Sequence, residues 1–600
     1  MTVRVPTRTR AVLVAILVAF ALPSSLPAAN AYIKHNLVSD IQGLADHTDP
    51  NLINPWGIAT SPTSPFWFAD AGSGKSTLYS TAGSGSIPGL VVTVPPYGNA
   101  MVGSPTGIVF NGGTGFEVAA GKSAAFIFAT QDGTISGWNS SVNQTNAIIM
   151  VQTTSGNAVY KGLALAANGS ANYLYAANFY AGTIDVFDST WTQVKNAGAF
   201  TDPNLPAGFA PFNIQNLGGN LYVTYAKQND AKNADVSGPG NGFVDVYDPT
   251  GKLMQRLISR GWLNSPWGVA IAPAGFGDYA GDLLVGNFGD GIINVFNLST
   301  GAYVASLQDV EGNPYVIEGL WALQPGNGHN GGDANAIYFT AGIGGPNGTV
   351  QSHGLFGSLQ AAPSTTSGKI VNAASFQPTI SPYTFVTITG ANLASTTRNW
   401  QSSDFVNGRL PTELDGVSVD INGAPAYVSY ISPTQINLLL PSFISPGPLQ
   451  VVTMNNGLTS GQVTAQLQAL SPAFFPFVDG THVAATHADG TPVGPTSLYP
   501  NLSTPAKPGE VVTLWGTGFG PTTPEVPDGQ VIGMAYNYTT MPTVFIGGAT
   551  ATVSFAGVTE AGLAQVNVMI PNSTPDGDAS VAAQIGSTST PTNLVIAVQH

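Results

Sequence analysis

The amino-acid sequence predicts an all-β protein that consists of a six-bladed β-propeller followed by two immunoglobulin-like β-sandwich modules. Two internal repeats support this prediction: a segment of about 50 residues that recurs six times, and a strand pattern that occurs twice near the C-terminus. The composition agrees, because 43% of the 600 residues are hydrophobic while 72 are glycine and 44 are proline. Short apolar runs between glycine- and proline-rich turns are typical of β-sheet domains.

The first 31 residues have the pattern of a secretory signal peptide. Three arginines precede an apolar run at residues 11–22, and small residues follow at 29–31, so cleavage is expected after Ala31. The apolar run is shorter than the ~20 residues that a membrane-spanning helix needs. The sequence therefore predicts an extracytoplasmic protein, secreted or held at the cell surface, with no membrane span after processing.

Charge and cysteine content narrow the range of partners. The formal net charge is −15, and only 8% of the residues are charged. An acidic chain without a basic patch is a poor partner for nucleic acid or anionic lipid, so neither is expected. The sequence has no cysteine, which excludes disulfides and thiolate metal sites.

The repeat in the first part of the chain is clearest in "NPWGIA" at Asn54 and "SPWGVA" at Ser265. Looser copies are "SPTGIV", "YKGLAL", "APFNIQ" and "IEGLWAL", and each copy is followed by two further short strands with a glycine-rich turn between them. Units of this length with three or four strands are typical of propeller blades, which predicts one propeller over residues 32–360. The segment from His35 to Val38 is expected to pair with the last blade, because an open ring would expose two strand edges. The aligned repeat positions are Gly57, Gly107, Gly162, Asn213, Gly268 and Gly319.

One stretch of the first repeat imitates a phosphate-binding loop. Ala69, Gly74, Lys75 and Ser76 have the spacing of that motif if alanine replaces its first glycine. A phosphate loop opens a helix, whereas this stretch lies where the other repeats have a turn between two strands. We therefore predict a turn with a solvated lysine and no nucleotide site.

The C-terminal part contains two copies of one β module. "YTFVTITGANLAS" at Tyr383 parallels "GEVVTLWGTGFGPT" at Gly509, and a hairpin and a terminal strand follow in both copies. This pattern fits immunoglobulin-like sandwiches at residues 369–470 and 471–600, the second including a connecting segment. The small residues at 361–368 are predicted to form a linker.

Both parts resemble known families. The first resembles NHL-type and lactonase-like propellers, and in detail a family of exported bacterial proteins of unknown function whose mature start is similar to "NLVSDIQGLADHTDPNLINPWGIA". The second resembles the IPT/TIG modules that are common in exported proteins of acidobacterial type. The resemblance implies a fold and export, with the C-terminal modules as spacers or display elements, and it implies no established activity.

The candidate ligand site lies at the end of the propeller channel, where ligands of such folds usually bind. We expect Trp56 and Trp267 to form an aromatic floor and Lys161 and Glu318 to lie at its rim, with a carbohydrate or small aromatic compound as ligand. The alternative is that Lys161 and Glu318 are solvated loop charges. The residues that precede the aligned repeat positions are Trp56, Thr106, Lys161, Phe212, Trp267 and Glu318.

Four aspartates were candidates for other roles. Asp49 and Asp202 belong to the repeated "TDPNL" and could supply oxygen ligands to calcium, although an aspartate in this context is also a common turn former. Asp185 and Asp245 share one position in the third strands of neighbouring repeats, where strand alternation predicts a solvent-facing side chain.

Two functions follow from these features. The first is a secreted or cell-surface binding or scaffold protein, monomeric and without a catalytic residue or required cofactor, whose partner is a protein or carbohydrate of the cell envelope. The alternative is a metal-assisted lactonase-like or lyase-like enzyme, in which Glu318 with Asn213, Asp49 or Asp202 holds a divalent cation at the channel mouth.

Overall fold

The computed structural model describes residues 31–81, 86–87, 89–98, 100–153, 158–195, 198–345 and 348–600. The predicted signal peptide therefore lies outside the described residues, apart from Ala31. The contacts divide the described chain into two compact units, and the boundary along the sequence lies between Ala361 and Ala362. The first unit ends at Ala361, and the second unit runs from Ala362 to His600.

The described residues are almost entirely β-structure, which confirms the all-β prediction. Their only helical elements are three short 3-10 turns, at Gly277–Tyr279, Ser402–Asp404 and Val406–Gly408. Among the described residues, no helix has the length and apolarity needed to cross a membrane.

The strands of the first unit are β1 (Tyr32–Ser39), β2 (His47–Thr48), β3 (Pro55–Ala59), β4 (Phe66–Asp70), β5 (Lys75–Ser76), β6 (Leu78–Tyr79), β7 (Val92–Thr93), β8 (Pro105–Phe110), β9 (Glu117–Ala119), β10 (Lys122–Ser123), β11 (Phe126–Thr130), β12 (Thr134–Trp138), β13 (Ile148–Gln152), β14 (Tyr160–Asn168), β15 (Ala171–Asn178), β16 (Thr183–Phe187), β17 (Gln193–Val194), β18 (Phe209–Leu217), β19 (Asn220–Lys227), β20 (Gly242–Tyr247), β21 (Leu253–Ser259), β22 (Pro266–Ile271), β23 (Leu283–Asn287), β24 (Ile293–Phe296), β25 (Tyr303–Ser306), β26 (Leu320–Pro325), β27 (Ile337–Ala341) and β28 (Leu355–Ala361).

These strands form six sheets of four or five strands in the described part of the unit, besides the small hairpin of β9 and β10. We number the sheets by their inner strands in chain order. The inner strands contact one another in sequence, and the last of them also contacts the first. The six sheets are sheet 1 (β3-β4-β5-β7, with β6 on β4), sheet 2 (β8-β11-β12-β13), sheet 3 (β14-β15-β16-β17), sheet 4 (β18-β19-β20-β21), sheet 5 (β22-β23-β24-β25) and sheet 6 (β26-β27-β28-β1-β2).

Sheet 6 combines the beginning and the end of the unit. Strand β1 pairs antiparallel with β28, so that His35 lies opposite Ser358 and Val38 opposite Phe356. This confirms the prediction that the segment from His35 to Val38 completes the last repeat. The pairing covers an edge of β28 that would otherwise expose unpaired N–H and C=O groups.

The stretch that imitates a phosphate loop is a turn between strands. Gly74 has a φ of 68°, and Lys75 and Ser76 form strand β5 rather than the start of a helix. The Lys75 ammonium donates a hydrogen bond to Asn51 Oδ1 at 2.5 Å. The predicted turn is confirmed, but its lysine is half-buried and bonded rather than fully solvated.

The strands of the second unit are β29 (Ser364–Asn372), β30 (Phe385–Ala391), β31 (Arg398–Asn399), β32 (Glu413–Leu414), β33 (Val417–Ile421), β34 (Ala424–Pro425), β35 (Tyr427–Ser432), β36 (Gln435–Leu439), β37 (Gly447–Asn455), β38 (Leu458–Thr459), β39 (Val463–Leu467), β40 (Ala473–Phe474), β41 (Ala485–Thr486), β42 (Val511–Thr517), β43 (Thr522–Thr523), β44 (Tyr536–Tyr538), β45 (Thr543–Ile546), β46 (Ala549–Glu560), β47 (Leu563–Met569), β48 (Gly577–Ile585), β49 (Thr588–Ser589) and β50 (Leu594–Val598).

The second unit has two halves, which we call the first half (β29–β39) and the second half (β40–β50). In the first half, the sheets β29-β30-β36-β35-β31 and β32-β33-β37-β38, the latter with β34 and β39, enclose one apolar cluster. In the second half, eleven strands surround another cluster, which also includes Phe385 and Leu439 of the first half. The two halves therefore share part of one core.

The predicted linker at residues 361–368 differs from the structure. Strand β28 ends at Ala361 and β29 begins at Ser364, so only Ala362 and Pro363 separate the two strands. Ser364 is buried, and Thr365 pairs with Gly390 on β30. Small polar residues resemble a linker in sequence, but here Ser364–Asn372 is a strand in which Ser364 and Thr365 are paired with β30.

We expect the two units to fold independently, because the contacts of the chain divide between Ala361 and Ala362. When residues 31–361 and 362–600 are produced separately, each should unfold cooperatively near the temperature of the matching transition in the full chain. Differential scanning calorimetry of the three proteins measures this. A fragment that is unfolded by itself would contradict the prediction.

Candidate functional site

The inner strands of the six sheets bring one residue each to a common ring near their starts. Pairing with the second strands sets the register: Pro55 lies opposite Asp70, Pro266 opposite Asn287, and Leu320 opposite Ala341. The residue after each of these is the ring residue. The six ring residues are Trp56, Thr106, Lys161, Phe212, Trp267 and Trp321, all between 0% and 4% exposed.

Glu318 does not belong to this ring, so the predicted register of the sixth repeat was wrong by three residues. Trp321 of "IEGLWAL" occupies the position of Trp56 and Trp267, and Ala322 replaces their following glycine. Glu318 lies before β26, is exposed, and accepts a hydrogen bond from the Gly344 N–H at 2.9 Å. Alignment on tryptophan instead of glycine would have found Trp321.

The aromatic ring residues pack on one another. Trp56 stacks on Trp321 with a centroid distance of 3.5 Å, and Trp267 contacts both indoles edge-on at 6.2 and 5.9 Å. Phe288 stacks on Trp321 at 4.1 Å. A flat ligand that stacks needs an exposed indole face. In this arrangement the faces and edges of the tryptophans contact one another.

Hydrogen bonds tie the ring residues to other sheets. The Trp267 indole N–H donates to the Lys161 carbonyl at 2.9 Å, and the Asn213 amide donates to the Trp267 carbonyl at 2.9 Å. The Trp321 indole N–H donates to Asn54 Oδ1 at 3.0 Å. The ring therefore links sheets 3, 4, 5, 6 and the start of sheet 1.

The strands below the ring approach each other so closely that side chains do not fit. A Cβ on Gly57 would lie 2.5 Å from the Thr106 carbonyl oxygen, and one on Gly107 would lie 2.6 Å from Leu163 Cβ. The cavity among these strands has a volume of about 10 Å³, enough for about one water. This cavity among the described strands is therefore too small for an organic ligand.

Lys161 is a buried cation within the ring. Its Nζ donates to Gln131 Oε1 at 2.7 Å and lies 4.8 Å from the centroid of the Trp56 ring. Among the described residues, no carboxylate lies within salt-bridge distance of this ammonium. Burial lowers the pKa of Lys161 from 10.5 to about 8. Lys161 is therefore neither solvated nor at a rim, in contrast to the prediction. Lys161, Trp56 and Trp267 do lie together in the ring.

Neither candidate calcium ligand presents a free carboxylate. Asp49 Oδ1 accepts from the backbone and side-chain nitrogens of Asn51, both at 2.9 Å, and Oδ2 accepts from the Tyr79 hydroxyl at 3.0 Å. Asp202 forms an ion pair with Arg256 and accepts from the Asn204 N–H at 2.9 Å. The part of the chain that the structure describes contains no cluster of three His, Asp or Glu side chains that could hold a metal.

The prediction that Asp245 faces solvent was wrong. Its side chain is fully buried, and Arg256 Nε lies 3.6 Å from Oδ1. Burial raises the pKa of Asp245 to about 7, and hydrogen bonds from the Tyr247 and Tyr225 hydroxyls oppose that shift. Asp185 is half-buried and accepts from the Tyr160 hydroxyl and the Asn178 amide at 3.1 and 2.9 Å. Sheets in a propeller-like unit pack on neighbouring sheets on both faces. Alternation of side chains along a strand therefore does not predict which of them face solvent.

Several exposed apolar side chains belong to loops at the end of the first unit that carries the ring. We call this end the loop face; it consists of the loops that lead into the inner strands and the turns between the second and third strands. Val102 touches the turn at Gly74, and Val350 lies beside Gly319. Contiguous apolar surface is typical of interaction sites, whereas single exposed apolar side chains are common on any protein. The exposed members are Met101, Val102, Val236, Trp262, Val316 and Val350, with exposures from 38% to 97%.

Comparison with known proteins gives matches in both units. The profile of the IPT/TIG domain matches residues 373–483, which extends past the predicted module boundary at 470. Two relatives come from Acanthamoeba polyphaga mimivirus. Uncharacterized protein L690 is 34% identical over 335 residues, which is 54% of this chain and 84% of that protein. Uncharacterized protein R648 is 34% identical over 315 residues, which is 51% of this chain and 75% of that protein.

Solved structures resemble the chain only distantly. Virginiamycin B lyase from Staphylococcus aureus aligns over 55% of this chain and 99% of its own length, with 13% identity and a TM-score of 0.31. A likeness at this level carries no argument about activity.

Together, the sheets and the matched profile define an all-β protein with a propeller-like first unit and an IPT/TIG domain. The chain belongs to the family of the mimivirus proteins L690 and R648. Because these relatives are viral, the bacterial and acidobacterial parts of the resemblance stay predictions.

Trp321 is expected to be a main stabilising residue of the first unit, since it stacks on two aromatic rings and is 1% exposed. Trp321→Ala should lower the free energy of unfolding of this unit by about 3–5 kcal/mol. Urea unfolding measures the loss. Trp262→Ala, at a site 57% exposed, is the control and should cost about 1 kcal/mol or less. Equal losses in both variants would contradict the packing role.

Lys161→Met should stabilise the protein at pH 7, because it removes a buried charge. Between pH 8 and 10.5 native Lys161 binds fewer protons than the unfolded chain, so wild-type stability rises with pH there. The advantage of the variant should therefore shrink between pH 8 and 10.5. Urea unfolding at pH 7 and pH 10 measures it, and exposed Lys252→Met, which should show no advantage at either pH, is the control. An advantage that is equal at both pH values would show that the ammonium is not desolvated.

Proposed function

We propose that the chain is an exported binding protein, built as a closed six-bladed propeller followed by two immunoglobulin-like modules, with the loop face as its binding surface. The observation that carries this proposal is the group of exposed apolar residues on that face, including Met101 at 97% and Val316 at 65% exposure. Apolar side chains in this number favour a macromolecular partner over a small ligand.

The filled channel supports the same choice. The ring and the narrow cavity below it leave the surface loops as the contact area, whereas a small ligand stacked between Trp56 and Trp267 would require the ring to open. The carboxylates of Glu311 and Glu318 are exposed on a loop that leads into β26. A protein partner with lysine or arginine around an apolar patch would complement this surface.

The alternative, a metal-assisted lactonase-like or lyase-like enzyme, has less support. The carboxylates of Asp49, Asp202 and Glu318 each bond to other groups of the chain. Calcium-dependent hydrolysis of a lactone, abolished by a chelator, would favour it over the binding protein.

The test is capture of partners by the full chain from cell-envelope extracts. Val316→Asp places a charge on the loop face and should release the captured protein. Met254→Asp is the matched control, because Met254 is 57% exposed but lies on the outer strand β21. A protein held by the wild type and the control, and lost by Val316→Asp, supports the proposal. Capture that does not differ among the three, or no capture, argues against the loop face.

A further inference from the structure

A second cavity lies within the second unit, at the seam between its two halves. Its volume is about 570 Å³, within the range of small-molecule sites. Residues of the first half, such as Trp400 and Phe405, line one side, and residues of the second half, such as Ile532 and Leu563, line the other. We call it the seam pocket.

The two walls are held together by hydrogen bonds between the halves. The Leu410 N–H donates to the Gly529 carbonyl at 2.9 Å, and the Val531 N–H donates to the Gly408 carbonyl at 2.8 Å. On the far side, Thr517 Oγ1 accepts from the Phe385 N–H at 3.1 Å and donates to the Gly562 carbonyl at 2.9 Å. The pocket is therefore formed before any ligand binds, which lowers the entropic cost of binding.

An ionic network fixes the aromatic wall. Arg398 donates to both carboxylate oxygens of Asp404 at 2.8 and 3.3 Å, and its Nε donates to Asp415 at 2.9 Å. Asp404 also accepts from the Gln401 N–H at 2.6 Å. These bonds hold the segment that carries Trp400 and Phe405, whose ring centroids are 5.2 Å apart.

The lining determines what can bind. Phe385, Leu410, Ile532 and Leu563 are buried and apolar, so this wall favours apolar ligand surface, and hydroxyls placed against it would lose hydration. Among the lining residues, which are all described, Glu560 has the only charged side chain. An anionic ligand is therefore disfavoured.

Asn437, a buried polar residue of the lining, can orient a ligand. Asn437 is 5% exposed, and its Oδ1 accepts hydrogen bonds from Thr387 Oγ1 at 2.9 Å and Gln435 Nε2 at 2.8 Å. With the oxygen used in this way, the Asn437 amide offers N–H donors to the pocket. A ligand with an acceptor oxygen would match them.

We propose that the seam pocket binds an uncharged, mainly apolar and aromatic small molecule that carries an acceptor oxygen. The site is separate from the loop face, and its occupant is independent of the partner proposed there.

The test is fluorescence titration of the full chain with N-phenyl-1-naphthylamine, an uncharged aromatic dye. Saturable binding of one dye per chain is expected. Ala561→Phe and Val531→Trp fill the pocket from its half-buried wall and its exposed rim, and each should weaken binding by about tenfold or more. Met254→Ala, which changes an exposed side chain of the first unit outside the loop face, should leave binding unchanged.

Competition tests the ligand class. Methyl benzoate should displace the dye, whereas glucose should not, and the anionic dye 8-anilinonaphthalene-1-sulfonate should bind several-fold more weakly. Val531→Trp changes an exposed residue, so its fold should persist even if Ala561→Phe unfolds; melting curves of both variants check this. Absence of saturable binding, binding unaffected by Val531→Trp, or displacement by glucose would each overturn the proposal.

Discussion

The close approach of six inner strands around one axis is the constraint on which the first unit depends. The position after each ring residue is glycine in four sheets, because a Cβ at Gly57 or Gly107 would overlap the neighbouring strand. Asn213 and Ala322 occupy the other two positions. The repeated glycine is thus a packing requirement, and the larger residues beside it close the channel end. The feature that made the repeat visible in the sequence is the one that leaves no room inside for a ligand.

Tightly packed strands exclude water, so a charged side chain between them loses hydration. The first unit compensates for this loss in two ways. Arg256 is flanked by Asp202 and Asp245, so its charge is compensated by carboxylates. Lys161 has an amide oxygen and the faces of Trp56 and Phe179 close by, and among the described residues no carboxylate lies within salt-bridge distance. A hydrogen bond and a cation–π contact replace hydration less completely than an ion pair does, which is why the pKa of Lys161 falls.

Sequence patterns predicted the strands of the first unit well because each repeat carries its own turn and strand signals. They located the closing strand at His35 to Val38, and they excluded a helix at Gly74. They failed where tertiary packing decides: the burial of Asp245 and Lys161 depends on neighbouring sheets. The Glu318 error was one of alignment, since the sequence itself contains the tryptophan that fits. The seam pocket could not be predicted, because its walls come from segments more than ninety residues apart.

The two proposed binding sites, the loop face and the seam pocket, differ in how far their residues contribute to the core. The sheets of the first unit pack on one another through their faces, so the proposed binding surface consists of loops. Residues such as Val316 on these loops can be substituted without loss of core contacts. The seam pocket is instead lined in part by core residues, including Phe385 and Leu563. A ligand that binds only the folded state adds RT ln(1 + [L]/Kd) to stability. Occupancy of either surface would therefore stabilise the unit that carries it, and in the seam pocket the ligand would also contact core residues of both halves directly.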